Sequence, residues 1–349
     1  MAAGFKTATV RAADVPSTQT DFPSYVDLDR LGITTLAEAQ SVRVYADSAK
    51  TTEWAREIVS VTEMHVKVPS LTSTVEIFVD WDGVRADYAT TATYGRNAVW
   101  SDYVLVWHGN DITGTSVKDS AGNFNATTHN MDEVNANIGK GQEVTNDDSY
   151  MVSAASSTID RKNREPLTMQ TWVKLNNLDE SSYFLGMVRG INSRTADKRL
   201  RFNEGSPPNQ FQFQLFKSGS FRAYSSLTVV TGQWYKLTGT YDGTTQKLYV
   251  DGVEEDSISN TVGSYPGFGS DARIQSHRGG YDSRFVVSGG RYRKEALSAN
   301  WETTERNNQN AESTFWGTWT DVSTATTVTN IISIGNIVEL NNISSIIGT

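Results

Sequence analysis

The sequence predicts an all-β protein: two antiparallel β-sandwich domains followed by an extended C-terminal tail. Three observations carry that expectation. Short runs rich in β-branched and aromatic residues recur, and several alternate apolar with polar side chains. Between them stand clusters of Gly, Asp, Asn and Ser of the kind that close hairpins. Helical periodicity is scarce, confined to Leu36–Gln40 and Ser298–Asn307, where Ser298 suits an N-cap ahead of Trp301 and Glu302.

Taken in order, the predicted strands of the first hundred residues are Ser41–Tyr45, Met64–Val68, Val75–Trp81 and Tyr103–Trp107. Those of the longer second part are Met169–Leu175, Phe211–Phe216, Trp234–Tyr241 and Lys247–Val250. FQFQLF (211–216) is the cleanest, with Phe211, Phe213 and Leu215 on one face. Asp82-Gly83, Asp242-Gly243 and Asp251-Gly252 sit where turns need positive φ. Gly289-Gly290 reads as a turn or bulge.

Composition excludes several functions. The chain has 349 residues, 31 Lys+Arg against 40 Asp+Glu, and a net charge of −9. It lacks the cationic surface that would neutralise phosphates, so neither nucleic acid nor an anionic membrane is an expected partner. Nine Trp and 10% aromatic residues call for a packed core rather than disorder. Cys is absent, which removes disulfides and thiolate metal sites. His65, His108, His129 and His277 are scattered, with no pair at HExxH spacing. Lys6 and Arg11 interrupt the start before a secretory apolar run forms, and no stretch reaches 18 apolar residues. The expected location is therefore the cytosol, or a larger particle that leaves the cell.

Four motifs in order resemble the LamG-like, concanavalin-A-like jelly-roll family. They are the opening strand Val104-Leu-Val-Trp-His108 with the loop Asp119-Ser-Ala-Gly-Asn123, the strand Leu167-Thr-Met-Gln-Thr-Trp-Val-Lys174, the hairpin Gly232–Gly252, and the closing Ala296-Leu-Ser-Ala-Asn-Trp301 with Asn307-Asn-Gln-Asn310. Upstream, Asp21-Phe-Pro-Ser-Tyr-Val-Asp-Leu28, Ser41-Val-Arg-Val-Tyr45, Val66-Lys-Val-Pro-Ser-Leu71 and Ala98-Val-Trp-Ser-Asp-Tyr103 are similar to a domain of unknown function. That domain commonly precedes a LamG-like one in bacterial surface proteins and phage structural proteins. The boundaries expected are 1–103 for the N-terminal sandwich, 104–320 for the jelly roll and 321–349 for the tail. One departure stands out: the family often carries an Asp-Glu pair before its last strand, where this chain has Ser288-Gly-Gly-Arg-Tyr292.

The tail has its own rhythm. From Val322 every third residue is aliphatic: Ala325, Val328, Ile331, Ile334, Ile337, Leu340, Ile343 and Ile346 follow. Three residues advance an α-helix by 300°, so the stripe would drift around it, and on a flat strand it would alternate faces. Three residues per turn suits an extended winding that cannot bury its stripe alone. The expectation is a stem in which copies of the tail associate, three being the natural number. The plainer alternative is a frayed terminus or an extra edge strand.

Candidate chemistry is sparse. Glu254 and Asp256 fall on one face by alternation, as a glycanase pair would need, but on an exposed hairpin arm a solvated acidic edge is the better reading. Asp147-Asp148 reads as a polar loop. There is no GxSxG elbow, and His108 reads as a core-edge imidazole bonded to backbone. Many members of the resembled family bind calcium, and Asp119, Asn123 and Asn125 are the candidate ligands, although the same spacing makes an Asx turn. Carbohydrate contact, the usual activity implied by the resemblance, points to aromatics in apparent loops: Tyr183, Tyr265, Phe268 and Tyr281. Trp172 and Trp234 read as core.

Together these readings favour a non-enzymatic phage virion protein, a head or tail fibre or capsid decoration. It would self-associate as a homotrimer, contact other virion proteins and present a lectin-like domain to host-surface glycans. No cofactor beyond calcium is expected. The alternatives are a bacterial surface or secreted carbohydrate-binding module and, third, a glycan-cleaving enzyme.

Overall fold

The computed structural model describes residues 3–109, 116–146, 148–154, 165–178, 182–188, 196–203, 209–216, 220–260, 271–276 and 284–323. Within them the chain is mostly antiparallel sheet with few helices, as the alternating patterns predict.

The N-terminal sandwich pairs two sheets. One has the strand order Thr320–Asp321, Gly4–Thr9, Glu76–Trp81, Arg43–Tyr45, Glu53–Trp54; the other runs Gln19–Asp27, Glu63–Leu71, Arg56–Ile58. Alternation sends Met64, Val66 and Val68 into a core with Phe22, Val26, Ile77 and Val79. It sends Glu63 and His65 to the opposite face, where Glu57 lies directly across from His65.

The jelly roll is built from two larger sheets. The first runs Met131–Asn135, Lys140–Val144, Phe285–Arg293, Leu167–Leu175, Trp234–Tyr241, Thr245–Val250, Val253–Ser259, with Tyr103–Trp107 paired to the end of Phe285–Arg293. The second runs Ser220–Tyr224, Gln210–Phe216, Ala196–Asn203, Ser182–Val188, Asp271–Ser276, Tyr150–Ser153, Ala126–His129, Ser116–Val117. Phe184, Phe202, Phe211, Phe213, Phe285, Leu237 and Leu248 fill the space between. Packing is tight enough that a Cβ on Gly239 would stand 2.3 Å from the Phe213 ring. Asp251 and Gly252 both take positive φ in the two-residue turn between Val250 and Val253, as expected of that dipeptide.

The predicted helix spans Ala299–Asn310, capped by Ser298 Oγ, which accepts from the Trp301 N–H. It is a wedge between the two sandwiches. Trp301 packs 5.1 Å from the Phe22 ring, and Asn308 exchanges hydrogen bonds with the Tyr25 backbone at 2.6 and 2.9 Å. Glu302, Glu305 and Gln309 face the other way, onto the jelly roll.

The chain after this helix differs from the expected boundary at 320. Leu297, Trp301, Phe315, Trp316 and Trp319 bury in the N-terminal core, and Thr320–Asp321 pairs with Lys6 and Thr7. The last jelly-roll strand ends at Arg293, and the N-terminal sandwich takes an outside strand and the rings of Trp301, Trp316 and Trp319 into its own core. Val322 continues the edge, its N–H donating to Phe5 O at 2.8 Å. The remaining stripe, including Val328, Ile331, Ile334, Ile337, Leu340, Ile343 and Ile346, lies outside the described residues.

Candidate functional site

The outward face of the second jelly-roll sheet is polar by alternation. Because Phe211, Phe213 and Leu215 point inward, Gln212 and Gln214 point outward. Register carries this face as far as Arg201: Tyr224 lies opposite Gln212 and Gln212 opposite Arg201, while the backbone of Arg201 pairs with that of Tyr183. In backbone register Gln275 pairs with both Tyr183 and Tyr150, and His129 lies opposite Tyr150. A second row holds Arg222, Gln214 and Arg199. Arg199 Nε donates to Gln214 Oε1 at 2.6 Å, and the His129 and Tyr150 rings stack at 4.3 Å. Gln212 is fully buried, yet neither atom of its amide has a partner. Gln214, Arg199 and Arg201 are buried as well, and leaving the Gln212 amide unpaired costs about 1–3 kcal/mol per group.

Of the aromatic candidates, Tyr183 stands on the strand Ser182–Val188 rather than in a loop, at a bulge. Its side chain lies outside the described residues, as do Tyr265, Phe268 and Tyr281 altogether. The alternating Gln of FQFQLF was the available signal for the polar face; Arg199 and Arg201 join it only through cross-strand register. Trp172 is buried but on the outer side of its sheet, donating to Gln309 Oε1 at 2.7 Å.

The Asp119 loop is organised by its own backbone. Asp119 Oδ1 accepts from the N–H groups of Val106 and Ala121, and Oδ2 from those of Asn123 and Phe124. Asn125 Oδ1 accepts from the Asp119 N–H at 3.0 Å. The bond from Ala121 closes an Asx turn, and a cation on Asp119 and Asn125 would compete with all five donors. The Glu254–Asp256 reading changes too. A bulge between their pairing partners Leu248 and Tyr249 breaks the alternation. Glu254 therefore meets Lys247 at 2.9 Å on one side, while Asp256 accepts from the Tyr224 N–H of the other sheet.

A second concentration of functional groups lies between the sandwiches. His108, at the end of Tyr103–Trp107, is bonded to carboxylates rather than to backbone: Nε2 is 3.0 Å from Glu57 Oε2 and Nδ1 is 3.3 Å from Glu63 Oε1. His65 Nε2 is 3.0 Å from the same Glu63 oxygen, and the two imidazoles stack at 4.8 Å. Glu57 also accepts from Ser120 Oγ and Trp100 Nε1. Burial would lower the His108 pKa, but Glu57 and Glu63 overcome it and raise it to about 9. Burial pushes His65 down to about 4. Burial alone would raise Glu63, yet its bonds to both histidines hold it at about 2.

Next to this cluster lies an ionic network on the wedge helix. Lys236 Nζ reaches Glu302 at 3.0 Å and Glu305 at 2.6 Å, and Arg291 Nη1 donates to Glu305 at 2.5 Å. Burial opposes ionisation of both acids. Lys236 and Arg291 hold Glu305 below the usual carboxylate range, whereas Glu302 is pushed up by burial and by Glu305. A cavity of about 10 Å³, room for one water, touches Glu63, His65, His108, Gln170, Arg291 and Glu305. Sequence spacing gave no sign of this meeting, because its members come from both sandwiches and the helix between them.

These features define a lectin-like β-sandwich, a fold class associated with carbohydrate binding. Residues 144–301 match the family model described as the concanavalin A-like lectin/glucanases superfamily, within the region that the sequence motifs marked as LamG-like. No curated protein sequence matches the chain. Similar solved structures include the binding domain of Paraclostridial Mosquitocidal Protein 1, with 14% identity and a TM-score of 0.49, covering 59% of this chain and 52% of that one. Domain 4 of a GH43 extracellular arabinanase from Geobacillus stearothermophilus, solved with arabinotriose, shows 18% identity and a TM-score of 0.47, covering 58% and 97%. Trypanosoma rangeli sialidase shows 14% identity and a TM-score of 0.48, covering 73% of this chain and 43% of that one. The chain thus spans about half the length of the first of these structures.

Proposed function

We propose that this chain is a glycan-binding structural protein whose ligand lies across the outward face of the second jelly-roll sheet. The observation that carries the reading is the row Tyr224, Gln212, Arg201, with the buried Gln212 amide left without partners. Planar amide and guanidinium groups match vicinal hydroxyls, and aromatic rings match the apolar faces of sugars. The wider setting we propose is a phage virion: the LamG-like unit displayed beside the N-terminal sandwich, with the period-three tail assembling copies as a homotrimer. The sequence pattern of that tail supports this setting, as does the upstream resemblance to a domain found in phage structural proteins. A bacterial surface module is the alternative location, and binding without catalysis is the expected activity.

A glycan array probed with the full chain, including host lipopolysaccharide and capsule fractions, tests the binding. Gln212→Ala and Arg201→Ala should each weaken retention of the best glycan at least about tenfold, the loss of roughly one good hydrogen-bonding group. Unchanged binding in both variants would remove the site from this face.

A further inference from the structure

We infer that Glu63, His65 and His108 form a binding site for a divalent transition metal of the zinc type, clamped between the N-terminal sandwich and the jelly roll. The inference is independent of glycan binding.

Three observations support it. The first is ligand geometry. One ligand atom from each residue lies within 4.8 Å of the other two, and all three side chains are buried. Glu63 Oε1 stands 3.0 Å from His65 Nε2 and 3.3 Å from His108 Nδ1. Neighbouring ligand atoms in a tetrahedral site with bonds of roughly 2.0–2.1 Å are about 3.3 Å apart, so these two edges already have the right length. Two imidazoles and one carboxylate are a donor set that zinc accepts, and the one-water cavity beside them supplies a fourth position.

The second is the support around the ligands. His108 keeps Nδ1 toward Glu63 while Nε2 faces Glu57, the carboxylate–histidine–metal arrangement that orients a ligating imidazole. Glu57 is itself fixed by Ser120 and Trp100. Glu63 Oε2 and His65 Nδ1 are buried without partners, so the cluster is not a closed hydrogen-bonded set. Gly139 comes so near that a Cβ there would sit 2.2 Å from Glu63 Oε2.

The third is charge. Glu57, Glu63, Glu302 and Glu305 are buried carboxylates around this junction, and Lys236 and Arg291 are the buried fixed cations facing them. Counted without the histidines, two negative charges are in excess; a proton on His108, which lies on Glu57 and Glu63, would offset one of them. Buried charge must be balanced, and a dication held by neutral imidazoles balances it in one step. The competing occupant is a pair of protons with a water in the cavity.

Because the ligands are buried, the full chain should be refolded with chelator, with Zn2+ or with Co2+, then passed through gel filtration. The site predicts about one metal per chain, a Co2+ visible spectrum of four-coordinate intensity, and a higher melting temperature that chelator during refolding abolishes. Glu63→Gln, His65→Gln and His108→Gln should lose the metal, while exposed His129→Ala keeps it. Glu57→Gln, which leaves all three ligands in place, should weaken affinity about 10–100-fold. Folded wild-type protein without bound metal would overturn the inference. So would metal retained at equal affinity in the ligand variants. Should those variants fail to fold, an unchanged affinity in Glu57→Gln would overturn it as well.

Discussion

Lys236→Met isolates what holds the wedge helix to the jelly roll. Lys236 is buried, with its Nζ 3.0 Å from Glu302 and 2.6 Å from Glu305. Thr238 Oγ1 and Gln170 Nε2 also bond Glu302, and Arg291 remains on Glu305. Met fills a similar volume but leaves Glu302 without a cation. Breaking a buried ion pair in this way costs about 3–5 kcal/mol, chiefly because an uncompensated charge stays behind. For a unit of this size that is a fall of roughly 10 °C in melting temperature. Urea denaturation followed by far-ultraviolet circular dichroism measures it. Two controls follow from the physics. The loss should shrink from pH 8 to pH 5, as the stranded carboxyl takes up a proton, and Glu302→Gln in the same chain should recover at least about 2 kcal/mol. A loss below about 1 kcal/mol, or one indifferent to both pH and Glu302→Gln, would refute the claim that Lys236 neutralises this helix.

Three further outcomes are expected. Glu312 accepts from Arg30 at 2.7 Å, yet burial raises its pKa from 4.5 to about 7. A raised carboxyl pKa contributes stability below the unfolded value and loses it as pH climbs through the folded one. Glu312→Gln should therefore gain on wild type by on the order of 3 kcal/mol between pH 4.5 and pH 8, and a flat difference in paired urea melts would contradict this. Gly239→Ala drives a methyl into the Phe213 ring and should destabilise the jelly roll by about 1–3 kcal/mol in calorimetry. Light scattering should find the full chain trimeric and a chain cut after Asp321 monomeric; two monomers would end the stem reading.

Much of the fold was legible because strand alternation is a local property. Tyr103–Trp107 and Trp234–Tyr241 have the predicted bounds, and Ser298 caps the helix it was expected to cap. FQFQLF turned Phe211, Phe213 and Leu215 inward as its period requires. Alternation put Glu254 and Asp256 on one face, and that placement failed for a reason no period reveals, since a bulge in their pairing register separates the two side chains. His108 was read as bonded to backbone because its partners, Glu57 and Glu63, lie some fifty residues upstream on another sheet.

The amino-acid order by itself determined which segments become strands, where the wedge helix begins, that no thiol chemistry exists and that the jelly roll resembles lectin-like folds. Hydrophobic period, capping and turn preference act over a few residues, so they are written directly in the chain. Tertiary structure alone decided that the C-terminal tryptophans close the N-terminal core, that Gln212 and Arg201 share one row, and that two acids and two histidines meet between domains. Those depend on register and on docking of surfaces remote in sequence, where burial removes water and lets a few opposed charges dictate one another's state.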